Sequence, residues 1–117
     1  MIENIIIGGR GSGKTTELIR MSAENNIYIV CLNRQRALNI AAMAREMGLT
    51  IPFPITVEEL PITRKSSWFT EVYVDDADQV LERLIGVRVS NITLEGNVEN
   101  LKRFMFNFAE ESDDRFI

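Results

Sequence analysis

The run Gly8-Gly9-Arg10-Gly11-Ser12-Gly13-Lys14-Thr15-Thr16 constrains the fold of this chain most, because it contains the complete pattern G-x-x-x-x-G-K-[ST]. A loop of this pattern needs a buried strand before it and a helix after it. The apolar run Ile5-Ile6-Ile7 precedes it directly, and residues 13–24 have helical spacing. We therefore predict an α/β fold in which a buried strand at residues 2–7 leads into the loop and a helix leaves it.

The chemistry of the pattern explains its spacing. Glycines let the backbone of residues 8–13, here called the glycine loop, curl so that its N–H groups point at an anion. The helix start adds unpaired N–H groups and a positive dipole end. Lys14 is predicted to reach the β and γ phosphates of a nucleotide, and the Thr15 hydroxyl to ligate Mg²⁺. The alternative is a glycine-rich turn with an incidental lysine. The predicted nucleotide contacts are Gly8, Gly9, Arg10, Gly11, Ser12, Gly13, Lys14, Thr15 and Thr16.

The length and composition of the chain limit the size and the class of the fold that contains the loop. A chain of 117 residues is expected to form one nucleotide-binding domain over 1–117, with an acidic, frayed tail at 111–117. At 45% hydrophobic and 26% charged residues it is typical of a soluble globular protein. The net charge of −4 argues against a broad basic face for nucleic acid, although a local basic loop stays open.

The cysteine content and the length of the apolar runs indicate the cellular compartment of the protein. Cys31 is the single cysteine and histidine is absent, which excludes an internal disulfide and a cysteine or histidine zinc cluster. Cys31 is expected to be a small core side chain, with a reactive thiol as the alternative. No apolar run reaches the length of a membrane span, and the first residues lack the basic region of a signal peptide. We expect a cytoplasmic protein that does not enter the membrane.

The next segment repeats the strand-helix order. Residues 27–32 are predicted to form a second buried strand, and Asn33 to cap a helix that runs to Met47 and stops at Gly48. Arg34 and Arg36 fall in the first turn of that helix, at the edge where ligands of open α/β sheets bind. We interpret them as solvated arginines, with a role at the site as the alternative.

Residues 49–68 have a different character, because three prolines fall within ten residues. Prolines confine such a segment to an edge strand or an extended crossing. Thr56-Val57-Glu58-Glu59-Leu60 is predicted to close it with a short helical turn. Arg64-Lys65-Ser66-Ser67-Trp68 is the one basic patch beside an aromatic residue. We favour an ordinary loop there over a site for a phosphate backbone and one stacked base.

A second chemical motif is Val72-Tyr73-Val74-Asp75-Asp76, an apolar strand that ends in two carboxylates and has Walker B form. A buried strand beside the loop would deliver Asp75 to its tip, where the carboxylate can hold Mg²⁺ through water or the Thr15 hydroxyl. Asp76 is the candidate for polarising an attacking water, with Lys14 as the other catalytic candidate. The alternative is a strand followed by a helix cap.

The last third of the chain is predicted to contain a helix from Ala77 to Ile85 and a strand at 87–94. The core stripe of that helix is expected to be Ala77, Val80, Leu81 and Leu84. Residues 98–109 fit either a helix, which we favour, or a strand. The apolar residues of Phe104-Met105-Phe106-Asn107-Phe108 are a candidate patch for a protein partner or a second copy.

Taken in order, the loop, the segment 27–47, the turn at 56–60 and Val72 to Asp78 resemble one RecA-like lobe of helicase and terminase-type P-loop ATPases. Asn33 to Ala37 is similar to their motif Ia, and Asp75-Asp76-Ala77-Asp78 to their Asp-Glu-Ala-x box. The resemblance covers about residues 2–95, and the small single lobe is similar to compact bacteriophage ATPases. It implies a three-layer sandwich around a mainly parallel sheet of four or five strands. The implied core order is 1-4-3-2, with residues 87–94 between the loop strand and the Walker B strand.

The resemblance implies ATP and Mg²⁺ as cofactors, and ATP hydrolysis in phage or bacterial DNA metabolism. Two departures imply that hydrolysis is weak or depends on a partner. Asp76 stands where relatives carry a glutamate, and no second lobe supplies an arginine finger, which is worth about 10³ to 10⁵ in rate. The alternatives are a small nucleotide or metabolite kinase and a nucleotide-gated interaction module without catalysis. A guanine-reading Asn-Lys-x-Asp motif is absent from the sequence.

Overall fold

The fold was obtained as a computed structural model that describes residues 2–63 and 69–95. These residues form an α/β structure with three α-helices, a three-stranded parallel sheet and one 3₁₀ helix. The helices are α1 (Lys14–Asn25), α2 (Arg34–Glu46) and α3 (Ala77–Ile85), and the strands are β1 (Ile29–Cys31), β2 (Ile55–Thr56) and β3 (Tyr73–Val74). The coarse α/β prediction is therefore confirmed.

The sheet has the order β2-β1-β3, with β1 in the centre. Val30 pairs with Ile55 on one side and with Val74 on the other. Its central position explains its burial, since Ile29, Val30 and Cys31 are all at most 3% exposed. Parallel strands covered on both faces have such continuous apolar sequences. The pairing of β1 with β3 agrees with the predicted adjacency of the second strand and the Walker B strand.

Helices α1 and α2 follow their sequence patterns closely. Leu18, Ile19 and Ser22 are the buried residues of α1, and their spacing places them on one face of the helix. The N-terminus of α2 is capped by the Asn33 side chain, which accepts a hydrogen bond from the Arg36 N–H at 2.9 Å. Its C-terminus closes as a Schellman motif, in which Gly48 has a φ of +71° and donates to the Arg45 carbonyl.

The proline-rich segment forms the edge strand β2, one of the two arrangements that its prolines allow. Directly after β2, Val57–Glu59 forms the 3₁₀ helix. The Glu59 carboxylate accepts hydrogen bonds from the N–H and the hydroxyl of Thr56, at 2.7 and 3.3 Å. This capping arrangement fixes the turn that follows the edge strand.

Two predicted strands are not formed in the structure. Residues 2–7 have no regular secondary structure, and Ile2 and Ile7 are 46% and 41% exposed rather than buried. Residues 87–94 are also irregular. One physical reason is that the Val89 N–H donates to the Glu82 carboxylate of α3 at 2.9 Å, so that group is not available for a sheet. The described sheet accordingly has three strands.

Helix α3 and β3 are less buried than their patterns predict. Val80 is buried and Leu81 is half-buried, but Ala77 and Leu84 are exposed. Val74, expected in a buried strand, is 41% exposed, because β3 lies at the edge of the described sheet. The apolar stripe of α3 therefore covers less core than the prediction assumed.

The contacts within the chain group its residues into two compact units. Residues 15–90 form one unit, which contains the sheet, and residues 2–14 with 91–95 belong to the other. The single nucleotide-binding domain stays a prediction. The predictions for Arg64 to Trp68, for residues 98–109 including Phe104 to Phe108, and for the tail at 111–117 lie outside the described residues. Among the described helices, none has the length and hydrophobicity that a bilayer span requires.

Candidate functional site

The glycine loop takes its shape from backbone torsion angles. Gly11 and Gly13 have φ angles of +77° and +91°, in the left-handed region that side chains with a Cβ rarely adopt. A Cβ at either position would meet nothing within 4 Å, so the conformation, rather than crowding, requires glycine there. The Ser12 N–H donates to the Gly9 carbonyl at 3.1 Å and closes the turn. The loop thus has the tight curl that the sequence motif predicts.

A different constraint acts at Gly8. A Cβ added there would collide with the Ser12 hydroxyl oxygen, so any larger residue at position 8 would force the Ser12 side chain to move. The Ser12 Oγ is buried and has no hydrogen-bond partner among the described residues. Since buried hydroxyl groups are nearly always hydrogen-bonded, this orphan group is compatible with a polar ligand at the loop.

Lys14 is the first residue of α1. Its Nζ donates a hydrogen bond of 3.0 Å to the Gly9 carbonyl, so the ammonium group folds back over the glycine loop. Helix α1 therefore starts with a lysine at its positive dipole end, a position at which cations are unfavourable unless an anion is near. Arg10 is exposed at the loop tip, and Thr16 is half-buried in the first turn of α1.

The unit of residues 15–90 contains a second arrangement, here called the carboxylate cluster and defined as Thr15, Arg36, Asp75 and Asp76. Asp75 follows β3 directly, and its N–H donates to the Val30 carbonyl at 2.9 Å. The strand next to β3 is β1, and helix α2 begins three residues after β1 ends. The parallel pairing of β1 and β3 consequently brings the first turn of α2 beside the two carboxylates.

Both carboxylate oxygens of Asp75 accept hydrogen bonds. The Thr15 hydroxyl donates to Asp75 Oδ1 at 2.9 Å, and Arg36 Nη2 donates to Asp75 Oδ2 at 2.6 Å. The same Nη2 donates to Asp76 Oδ2 at 2.8 Å. The Asp75 side chain is only 5% exposed, compared with 29% for Asp76 and 36% for Arg36. One guanidinium group thus contacts a buried and a half-buried carboxylate together and offsets one of their two negative charges.

The backbone of Asp76 is strained. Its φ of +50° and ψ of +58° lie in the left-handed region, which costs a non-glycine residue about 1 to 3 kcal/mol. Asp76 is the N-cap of α3, and its carbonyl accepts from the N–H groups of Gln79 and Val80. Its side chain makes no capping bond and instead contacts Arg36. The predicted helix cap and the predicted acidic site residue are thus the same position.

Arg36 corrects the sequence interpretation, which treated it as a solvated arginine at a helix start. The hydrogen bond to Asp75 raises the pKa of Arg36 above its ordinary value, so it is a fixed positive charge at every accessible pH. A signal was present in the sequence, because α2 has no acidic residue in its first turn to offset a cation at its positive end. Arg34, by contrast, is exposed as expected.

Cys31 is confirmed as a core side chain. It is fully buried at the end of β1, and its thiol contacts the Asn33 carbonyl at 3.5 Å. Burial raises the pKa of Cys31, with a further contribution from the negative charge of Asp75. A thiol held in the neutral form is a poor nucleophile, so Cys31 supplies packing rather than chemistry.

These residues fit the predicted ligands. The paired hydroxyl and carboxylate of Thr15 and Asp75 are hard oxygen donors of the kind that Mg²⁺ prefers. The described residues contain no group of three or more Cys, Asp and Glu side chains that could hold a metal ion. A magnesium ion bound with a nucleotide needs only one or two protein ligands, because phosphate oxygens and water complete its coordination. Separately, the curled glycine loop with the orphan Ser12 hydroxyl suits a phosphate group.

Comparison with known proteins adds no assignment: no protein-family model, curated protein or solved structure matches the chain.

Proposed function

We propose that this protein binds a nucleoside triphosphate, ATP with Mg²⁺, through Gly8 to Thr16 and Asp75. The observation that carries the proposal is the backbone of the glycine loop, where Gly11 and Gly13 both adopt left-handed conformations immediately before α1. This is the local geometry by which successive N–H groups face an anion. The buried Ser12 hydroxyl and the ammonium group of Lys14 over Gly9 support the same conclusion.

Each residue has a defined task in this proposal. Lys14 binds the β and γ phosphates as a point charge, and the N-terminus of α1 supplies N–H groups for the same anion. Thr15 and Asp75 would hold the magnesium ion, which neutralises phosphate charge when bound. Lys14 and Thr15 are consecutive residues of α1.

Hydrolysis is proposed to be weak or to depend on a partner. Asp76 is the acidic residue that would orient a water, but Arg36 Nη2 already binds its carboxylate at 2.8 Å. An arginine finger in related enzymes is worth about 10³ to 10⁵ in rate. A protein partner or a second copy of the chain is the proposed source of such a group.

The proposal includes the larger fold of the P-loop ATPases, with core order 1-4-3-2. The described pairing of β1 with β3 supports it, because β1 corresponds to strand 2 and β3 to strand 3, which are neighbours in that order. Residues 2–7 and 87–94 would supply the remaining strands. Hydrogen exchange measured with and without Mg-ATP tests this, since amides of both segments should gain protection together. Unchanged fast exchange in both would contradict the larger sheet.

We propose that the protein is cytoplasmic and serves phage or bacterial DNA metabolism. The single buried cysteine supports a reducing compartment.

Two other functions share the loop. A small kinase would transfer the γ phosphate to a second substrate, and a nucleotide-gated module would bind a partner without turnover. The position of Asp76, the N-cap residue of α3 held by Arg36, favours the ATPase over both, because it places an acidic side chain next to the proposed metal ligand.

The test uses a fluorescent ATP analogue, with ATP, GTP and ADP as competitors, followed by phosphate release with and without single-stranded DNA. Wild type should bind the analogue in the presence of Mg²⁺ and release phosphate slowly. DNA-stimulated release would support the helicase-like function, transfer to a nucleoside monophosphate would support the kinase, and binding without turnover would support the module. Failure of the wild type to bind any nucleotide would refute the proposal.

A further inference from the structure

The position of Arg36 on Asp75 goes beyond a structural ion pair. Arg36 Nη2 lies 2.6 Å from Asp75 Oδ2, and the Thr15 hydroxyl lies 2.9 Å from Asp75 Oδ1. Both oxygens through which the carboxylate could ligate a cation are therefore engaged by donors within the chain. Thr15 is itself a proposed metal ligand, so its contact is compatible with a metal at the cluster. The contact of Arg36 is different, because a guanidinium group and a metal ion carry like charges.

Burial explains why a cation is required at this position. The Asp75 side chain is 5% exposed, and a buried carboxylate is strongly disfavoured unless a positive charge or hydrogen-bond donors compensate it. Asp76 adds a second negative charge that reaches the same Arg36 nitrogen. Arg36 offsets one of the two negative charges, and a bound magnesium ion, with two positive charges, would perform the same electrostatic task more fully.

Arg36 is also placed so that it can leave. Its side chain is 36% exposed, and it projects from the first turn of α2, where the positive end of the helix disfavours a cation. Asn33, which caps the helix, binds the backbone N–H of Arg36 rather than its side chain. The guanidinium is thus held by the two carboxylates, and its departure leaves the helix cap intact.

We propose that Arg36 is an internal counter-ion that competes with the divalent cation for Asp75. The carboxylate cluster accepts the cation only when Arg36 releases Asp75 Oδ2. This inference rests on the proposed function, because the cation concerned is the one that accompanies the nucleotide. It predicts that the cluster has low affinity for Mg²⁺ alone, and that Arg36 sets the Mg²⁺ concentration at which the site is filled.

The test compares wild type with Arg36→Gln and Arg34→Gln. The two variants remove the same charge from the same helical turn, but only Arg36 contacts the carboxylates. Thermal unfolding is followed in increasing MgCl₂ without nucleotide, with ionic strength held constant by NaCl. Without Arg36, the Mg²⁺ concentration for half of the stabilisation should fall at least about tenfold, as expected for loss of one charge-assisted contact. Arg34→Gln should match wild type.

Equal Mg²⁺ responses of the three proteins, including no response in any of them, would overturn the competition. So would a weaker response in Arg36→Gln, since that would make Arg36 a residue that assists the metal. If Arg36→Gln fails to fold by far-UV circular dichroism, Arg36→Lys replaces it. Lysine keeps the charge but loses the planar guanidinium geometry, so a smaller shift in the same direction is expected.

Nucleotide binding separates this inference from the proposed function. The fluorescent ATP analogue is titrated against the same proteins in EDTA and in Mg²⁺. Arg36→Gln should change the Mg²⁺ dependence of the analogue's affinity, because Arg36 contacts Asp75 and Asp76, whereas Arg34→Gln should keep the wild-type affinity in EDTA and in Mg²⁺. Absence of analogue binding in every protein would refute the proposed function, while the thermal unfolding series would still decide the competition.

Discussion

Residues 8–13 and the carboxylate cluster are constructed in opposite ways. The glycine loop is defined by backbone torsion angles, with two left-handed glycines and one backbone hydrogen bond within six residues. The cluster is defined by side chains that come from α1, from the first turn of α2 and from the end of β3. The loop is therefore a local structure, whereas the cluster exists only when the sheet and two helices have assembled.

This difference determines how each region tolerates change. In the loop, any residue with a Cβ at a left-handed position alters the backbone itself, whatever its charge. In the cluster, the charge and length of each side chain matter, and the loss of one member leaves the others uncompensated. Substitutions in the loop should mainly affect binding, while those in the cluster should affect stability and metal dependence together.

The largest effect on nucleotide binding is expected for Gly13→Ala, with Gly48→Ala as its control. Both glycines have positive φ angles, of +91° and +71°, and an added Cβ would have open space at both. Each substitution should therefore destabilise folding similarly, by about 1 to 2 kcal/mol. Only Gly13→Ala should weaken Mg-ATP binding, by about tenfold to a hundredfold, the scale of one or more charge-assisted contacts. Similar binding losses in both variants would show that the loop backbone has no special role.

The next effect concerns the two neighbouring carboxylates. Asp75→Asn should reduce the enhancement of nucleotide affinity by Mg²⁺ about tenfold, because it removes the charge of the proposed ligand. Asp76→Asn should change it much less, and asparagine tolerates the left-handed backbone at this position. Affinity for ATP is measured across a Mg²⁺ series for both variants. A larger loss in Asp76→Asn would mean that the two roles are exchanged.

A stability effect is expected for Arg36→Gln at pH 7. Removing the guanidinium leaves the buried Asp75 carboxylate near that of Asp76, which should lower the free energy of unfolding by about 1 to 3 kcal/mol. The exposed Arg34→Gln should stay within about 0.5 kcal/mol of wild type. Urea unfolding with a common m-value measures both. Equal stabilities would show that the cluster is not held by charge pairing.

The smallest effect tests a feature that belongs to neither region. Glu59 caps the 3₁₀ helix through Thr56, and the neighbouring Glu58 is exposed, as Glu59 is. Glu59→Ala should lower the free energy of unfolding by about 0.5 to 1 kcal/mol, while Glu58→Ala should have less effect. Both variants should bind Mg-ATP as wild type does. A binding defect in Glu59→Ala would extend the functional surface to the edge strand.

The same contrast explains what could be predicted from the sequence. The glycine positions, the Asn33 cap and the Gly48 stop are local signals, and the structure has each of them where the pattern predicts. The partner of Asp75 depends on which strands pair, and Arg36 is 39 residues away along the chain, so no local pattern identifies the contact. The strands predicted at 2–7 and 87–94 were inferred from apolar runs. An apolar run shows a tendency to be buried, but it does not show that a neighbouring strand is available for pairing.

Lys14 and the glycine loop are proposed to bind the phosphates of a nucleotide. Isothermal titration of Mg-ATP into wild type, Lys14→Ala and Arg20→Ala tests it most directly. Arg20 lies on α1, is paired with Glu17 and is largely exposed, so its loss removes the same charge from the same helix. We predict binding in wild type and Arg20→Ala, and a loss of about tenfold to a hundredfold in Lys14→Ala. Equal affinities in the three proteins, or no binding in wild type, would show that Lys14 and the glycine loop do not bind the phosphates.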